Sequence, residues 1–162
     1  MADLFNINVV QMGVESTNLL SKIHNEAFKN TSEQKWGQKT FQKLCNFVGT
    51  SVYAICLDDK PIGFAVIRKV LDEAEIITFC ILPKWCKNGY ATYLLEWIID
   101  TLQTQSVKRL FLEVRENNDA AIRLYKKCFF KIIGRRKGYY QGRHGEKTDA
   151  HVMQIQLIEK LD

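Results

Sequence analysis

The chain has 162 residues, 46% of them hydrophobic and 25% charged, with a formal net charge of +5. This length suffices to bury one core, so a single domain over 1–162 is expected, and the apolar content excludes an intrinsically disordered chain. No run approaches the roughly 20 apolar residues needed to cross a bilayer, and no basic segment precedes an apolar one at the start, which points to a cytoplasmic protein with no membrane partner.

In chain order, Leu4 to Val10 has the composition of a first strand. Leu19, Leu20, Ile23, Ala27 and Phe28 fall at helical spacing, as do Phe41, Leu44, Cys45 and Val48. Ser51 to Leu57 and Ile62 to Val70 are β-prone and flank the turn residues Asp58-Asp59-Lys60-Pro61, which reads as a hairpin. Ala74 to Leu82 is a further strand, expected to be central and ended by Pro83, which cannot donate to a ladder.

From Gly89 to Thr104, apolar residues step by three and four, the pattern of an amphipathic helix. Lys108 to Val114 alternates as a strand, which puts Glu113 on the face opposite Leu110, Leu112 and Val114. Asn118 can cap a helix over Asp119 to Lys127, with Asp119 at the positive end of its dipole. Phe130 to Gly134 and Ala150 to Leu157 read as closing strands, joined by a Gly-, Tyr- and Arg-rich stretch through Tyr139, Tyr140 and Gly145. This mixed order predicts a layered α/β or α+β domain.

Lys126, Lys127, Lys131, Arg135, Arg136, Lys137, Arg143 and Lys147 gather the positive charge in the C-terminal third. An anionic ligand and a solvated basic face both fit this pattern, whereas no RNA-binding signature accompanies it, so direct nucleic acid binding is not expected. Cys45, Cys56, Cys80, Cys86 and Cys128 are odd in number and lack any C-x-x-C pair, which argues against disulfides and a zinc site; no metal is expected. His24, His144 and His151 have no ligand-like spacing.

The strand ending at Pro83 runs through Lys84-Trp85-Cys86-Lys87-Asn88-Gly89-Tyr90-Ala91 into the strong helix. Free backbone N–H groups at a helix N-terminus bind phosphate, and small residues let a ligand approach the backbone. The loop has neither a Walker pattern nor three spaced glycines, and by itself it is equally a glycine permitting a tight turn. Glu113 by itself reads as a strand carboxylate paired with Arg109 or Arg115, and Tyr125 as a core residue in step with Ala121, Leu124 and Cys128.

Taken with that loop, Leu112-Glu113-Val114-Arg115-Glu116-Asn117-Asn118-Asp119-Ala120-Ala121-Ile122-Arg123-Leu124-Tyr125, followed by Phe130, resembles the GNAT superfamily of N-acetyltransferases. Arg135-Arg136, Tyr139-Tyr140 and Asp149-Ala150 before Met153 make it most similar to the RimI-type ribosomal-protein-alanine enzymes. The resemblance spans Ile76 to Met153. It implies the GNAT fold, a mixed, mostly antiparallel sheet of about seven strands flanked by about four helices.

It also implies acetyl-CoA as co-substrate, with Phe79, Cys80 and Ile81 facing the pantetheine and Lys87, Asn88, Gly89, Tyr90, Ala91 and Thr92 wrapping the pyrophosphate. Asn118 would hydrogen-bond the cofactor, Glu113 would serve as general base and Tyr125 as general acid, and Tyr139 and Tyr140 would receive the peptide. The implied acceptor is a protein N-terminus, that of the alanine of small-subunit ribosomal protein eighteen, on a monomeric or weakly dimeric enzyme. A small-molecule amine, a lysine side chain, or a non-catalytic CoA-binding or ribosome-associated module are the alternatives. Two positions depart from the pattern: Cys86 stands where Gln or Arg is usual, and Phe129 where glycine is usual.

The chemistry sets its own requirements. An α-amine with a pKa near ~8 is largely protonated at neutral pH, so a base must act on it. The tetrahedral oxyanion needs fixed donors, which a splayed or bulged strand around Phe79 to Ile81 supplies from its backbone. The departing thiolate takes a proton, although a thiol of pKa near ~8.5 already leaves well.

Overall fold

The computed structural model describes residues 6–157, so Leu4 and Phe5 of the expected first strand lie outside the described residues. The elements follow in the order β1 (Ile7–Met12), α1 (Thr17–Ala27), α2 (Gln38–Cys45), β2 (Thr50–Leu57), β3 (Lys60–Val70), β4 (Glu73–Ile81), α3 (Tyr90–Thr104), β5 (Arg109–Arg115), α4 (Asp119–Lys127), β6 (Lys131–Gln141) and β7 (Lys147–Gln156). The strands form one seven-stranded sheet in the order β1-β2-β3-β4-β5-β7-β6. β4 is its middle strand.

Each face of the sheet is covered by helices. On one face, Leu94, Leu95, Ile98 and Leu102 of α3 and Tyr125 of α4 pack against Ile55, Ile67, Ile76, Leu110, Leu112 and Met153. On the other, Leu20 and Ile23 of α1 and Phe41 of α2 meet Val52, Ala54, Phe64, Val66 and Cys80. Alternation along β2 and β3 feeds both cores at once, which is why each strand has an unbroken run of six buried residues.

The β2–β3 turn is tighter than Asp58-Asp59-Lys60-Pro61 suggests. Asp58 and Asp59 both have positive φ, the geometry of a two-residue hairpin turn, and Lys60 already pairs with Leu57. Pro61 falls at a register shift, where a missing N–H is tolerated.

All pairings are antiparallel except that of β4 with β5, which is parallel and short. It runs only from Glu73↔Arg109 to Ile76↔Leu112. At that point the β3–β4 register shifts as well: Val66 pairs with Thr78 and Ile67 with Ile76, leaving Ile77 as the bulged residue. A bulge bends its strand and raises its twist. The sheet therefore opens into a V between the C-terminal halves of β4 and β5.

The C-terminal reading needs two corrections, the smaller being that β7 begins at Lys147 and not at Ala150. β6 does not stop at Gly134 but continues to Gln141, so Tyr139 and Tyr140 belong to a strand and not to the connecting stretch. The strand survives its loop-like composition through a bulge, in which Lys137, Gly138 and Tyr139 face Asp149 between the pairs Arg136↔Ala150 and Tyr140↔Thr148. Gly138 takes φ +59, which costs glycine little, and its N–H donates to Asp149 Oδ1 at 2.7 Å.

Candidate active site

The V between β4 and β5 is the mouth of an apolar cleft of about 480 Å3. Phe79, Cys80 and Ile81 form one wall, Ala120, Ala121 and Leu124 of α4 the other, and Phe28 reaches in from the end of α1. Because β4 has no partner on this side beyond Ile76, backbone groups of Ile77 to Ile81 face the opening unpaired by β5. An extended chain carrying amides can hydrogen-bond there as a neighbouring strand would.

At its far end the cleft meets the loop that leads into α3. Lys87 (φ 62) and Gly89 (φ 84) are both left-handed, the kind of backbone that gathers N–H groups into a concave nest suited to an anion at a helix N-terminus. Asn88 Nδ2 closes the loop on Trp85 O (3.3 Å) and Cys86 O (2.9 Å), and Cys86 Sγ turns back on Ile81 O and Leu82 O at 3.6 Å each. Neither side chain is needed to make the nest, since backbone does so. Lys87, Arg123 and Lys127 line the cleft as its cations.

Tyr125 is held in place by the end of its own helix. Phe130 N donates to Tyr125 O (3.0 Å) and Phe129 N to Lys126 O (3.0 Å), the paired bonds of a Schellman motif, with Phe129 in the left-handed position at φ 69. The apolar contact that completes this motif is between Phe130 and Tyr125 themselves, whose ring centroids are 5.7 Å apart. Phe79 meets the same ring edge-on at 6.4 Å. Burial raises the Tyr125 hydroxyl well above the usual phenol range, so it remains a proton donor.

Beside Tyr125 lies a second, smaller cavity of about 130 Å3, also bordered by Glu113, Arg115, Tyr140, Phe28 and Trp36. Phe28, Phe79, Asn118 and Ala121 line both cavities, so the two meet. Glu113 extends from β5 to an ion pair with Arg136 of β6 at 2.5 Å. Tyr139 hydrogen-bonds Glu113, which, with burial, raises the phenol's pKa, and the Arg136 guanidinium lies 4.2 Å from the Tyr139 ring centroid. Tyr140 lies under the buried Arg115 at 4.5 Å. Adjacent strand residues ordinarily point to opposite faces, but the bulge turns both tyrosines toward the face of Glu113 and Arg115.

The α1–α2 loop roofs this slot and is bound to the far hairpin. Arg115 Nε holds Glu33 Oε1 at 2.8 Å, and Arg143, from the β6–β7 turn, donates to Glu33 O (2.8 Å), Phe28 O (3.2 Å) and Lys29 O (3.4 Å). His24 also borders the slot; it is 2% exposed and stacks on Trp36 at 4.7 Å. Burial lowers its pKa, opposed by the Asn25 side chain and the charge of Glu33. The Nδ1 of His24 and the Nη1 of Arg115 are buried with no hydrogen-bond partner among the described residues.

The expected residues thus divide between two cavities. Phe79, Cys80, Ile81, Lys87, Gly89, Ala91, Thr92 and Asn118 line the larger, while Asn88 is turned onto its own loop and Tyr90 packs on Trp85 at 6.2 Å. Asn118 Oδ1 also accepts from Ala121 N at 3.2 Å and caps α4, as its spacing predicts. Glu113, Tyr125 and Tyr140 line the smaller, and Tyr139 stands behind Glu113. Burial pushes the Cys80 thiol up to about 12, which suits an inert thiol and not a nucleophile. The bend that opens the cleft is at Ile77, two residues ahead of the stretch expected to supply oxyanion donors.

Arg143, Glu33 and His24 went unassigned in the sequence. Arg143 was visible only as one of many basic residues, and its partners lie more than a hundred positions away, with |i−j| from 110 to 115. His24 has no motif around it.

Comparison with known proteins gives this geometry a family. Residues 18–130 match the model of the acetyltransferase (GNAT) family. The chain is 35% identical over 127 residues to the ribosomal protein bS18-alanine N-acetyltransferase of Salmonella typhimurium, covering 75% of this chain and 81% of that one. With its counterpart from Escherichia coli K12 it shares 32% identity over 149 residues, 89% and 95% of the two chains. The crystal structure of the Escherichia coli ribosomal-protein-S18-alanine N-acetyltransferase superposes with a TM-score of 0.85 at 27% identity, covering 97% of each chain. Arabidopsis thaliana NAA60 in complex with acetyl-CoA shares the fold, with a TM-score of 0.82 at 20% identity, covering 94% of this chain and 99% of that one. The chain belongs to the acetyltransferase (GNAT) family and is an acetyl-CoA-dependent acyltransferase.

Proposed function

We propose that residues 1–162 act as one domain that transfers acetyl from acetyl-CoA to the free N-terminus of a protein in the cytoplasm, with the N-terminal alanine of ribosomal protein bS18 as the leading acceptor. The observation that carries this reading is the meeting of two cavities of different character at Phe79, Asn118 and Ala121. One is long, apolar and edged by backbone, which suits pantetheine and pyrophosphate. The other is small and polar, which suits an N-terminal residue no larger than alanine.

In this reading the acceptor amine enters under the α1–α2 loop, and Glu113 removes a proton from it, directly or through a water. The nitrogen attacks the thioester carbon, and backbone N–H groups of β4 past the Ile77 bulge stabilise the oxyanion. As the C–S bond breaks, Tyr125 gives its proton to the sulfur and is reprotonated in turn. Lys87, Arg123 and Lys127 neutralise the phosphates. Arg115 Nη1 offers a buried donor, and His24 Nδ1 a buried polar group, to the first residues of the peptide.

Incubation with acetyl-CoA and a panel of N-terminal peptides, followed by mass spectrometry, is the test. Acetyl on the α-amine of alanine-first peptides is the expected product. Acetylation of small amines alone would overturn the acceptor assignment, and full activity in Glu113→Gln would overturn the role of the base.

A further inference from the structure

Glu113 stands in the wall between two cavities. One is the acceptor slot. The other is a groove of about 300 Å3 bordered by Arg68, Glu73, Glu75, Phe111 and Val152, to which Glu113 also contributes. Glu75 comes from β4, where it pairs with Phe111 of β5, two residues before Glu113. Ala74 and Ile76 are buried toward α3 and α4, as are Leu112 and Val114, so Glu75 and Glu113 are both directed to the opposite face.

Two carboxyl groups placed together in a partly buried position are unfavourable unless cations compensate. The compensation at Glu75 is thin. Arg68 is its partner in the β3–β4 register, yet the Arg68 guanidinium lies 4.4 Å over the Phe47 ring and its Nε makes no hydrogen bond. Arg136 is committed to Glu113. Burial, followed by the charge of Glu113, lifts the Glu75 carboxyl above the usual carboxylate range, with Arg68 and Arg136 opposing. The groups facing it are therefore Arg68 from β3, Glu73 on its own strand, Glu113 from β5, and Arg136 and Tyr139 from β6.

The reaction supplies a need for such a group. An acceptor ammonium carries three protons and the amide product keeps one. As the C–N bond forms and the C–S bond breaks, one proton ends on the CoA sulfur and one is surplus. If Glu113 is the base, it is left holding that proton at the foot of a slot filled by the peptide, and it must shed it before the next cycle.

We propose that Glu75 takes the surplus proton from Glu113 and passes it to solvent through the groove, resetting the base after each turnover. The proposal rests on the reading of Glu113 as base. Glu75 acts behind that base and touches neither substrate.

The test compares first and later turnovers in the full chain, with acetyl-CoA and an alanine-first peptide. In Glu75→Gln the first turnover keeps the wild-type rate, because no earlier cycle has left a proton on the base, whereas steady-state kcat falls roughly tenfold with the peptide KM unchanged. Raising the concentration of imidazole buffer restores kcat in the variant and leaves the wild type unaffected. Glu75→Asp, which keeps a carboxyl, retains most of the steady-state rate, and a loss in Asp as large as in Gln overturns the relay as well. A variant kcat equal to wild type, or a loss that appears already in the first turnover and ignores imidazole, overturns the relay. Glu113→Gln run in parallel separates the two claims: if it is inactive while Glu75→Gln is normal, only the relay fails, and if it is fully active, the base fails and the relay with it.

Discussion

The large apolar cleft and the small polar slot share lining residues but are made of different material. The cleft is edged by backbone: the unpaired side of β4, the left-handed residues Lys87 and Gly89, and the N-terminus of α3. The slot is made of side chains fixed by one another, in the pairs Glu113–Arg136, Arg115–Glu33 and Arg115–Tyr140. A backbone site tolerates changes of residue, which is why Cys86 can stand in the loop before α3 without dismantling it. A site of paired side chains does not, because removing one member leaves another buried and unmatched.

The sharpest way to probe this contrast is at the junction. Tyr125→Phe removes only the proton donor and keeps the ring packing on Phe130 and Phe79, so kcat should fall roughly 100-fold while the KM for acetyl-CoA stays near wild type, measured by steady-state kinetics. A large rise in that KM would mean the hydroxyl binds the cofactor rather than serving the chemistry. Next in size is Arg143→Ala, which removes three hydrogen bonds to carbonyls of the α1–α2 loop. The peptide KM should rise about tenfold, equivalent to about 1.4 kcal/mol, with acetyl-CoA binding unchanged. An equal effect on both substrates would erase the distinction between the two cavities.

Phe129→Gly addresses the turn that holds Tyr125. Phe129 is 80% exposed and left-handed at φ 69, so glycine should raise stability by roughly 1 kcal/mol, read from denaturant midpoints, with kcat little changed. The smallest effect expected is at His24. Its pKa is lowered in the folded chain from 6.5, so the unfolded chain takes up a proton first as pH falls, and its contribution to stability is lost below that value. Thermal melts from about pH 7 to about pH 5 should accordingly fall less steeply in His24→Phe than in the wild type.

Most elements are legible in the sequence because each carries its own period. The stripe of α3, the alternation of β5 and the cap at Asn118 are local patterns, and the structure has them where they read. What escapes is set by partners far along the chain. β6 looks like a loop after Gly134 because glycine and charge dominate it, and only pairing with β7 across the Gly138 bulge makes it a strand. The bulge at Ile77 has no residue that announces it, since neither glycine nor proline is present there. Phe129 shows the opposite case: the expected glycine is missing, yet the turn forms, because two backbone bonds and the Phe130–Tyr125 contact outweigh the strain.

The parting of β4 from β5 has a consequence for the protein as a whole. A sheet interrupted at its middle strand is a seam, along which the β1–β4 half and the β5–β7 half touch edge to edge over only four residue pairs. A molecule that lies along β4 and also contacts α4 mends that seam, and the seating proposed above for acetyl-CoA makes it a structural part of the fold as well as a reactant. The rigidity of the enzyme is then tied to the supply of its own co-substrate: amides of Ile77 to Ile81 should exchange with solvent most slowly when acetyl-CoA is abundant.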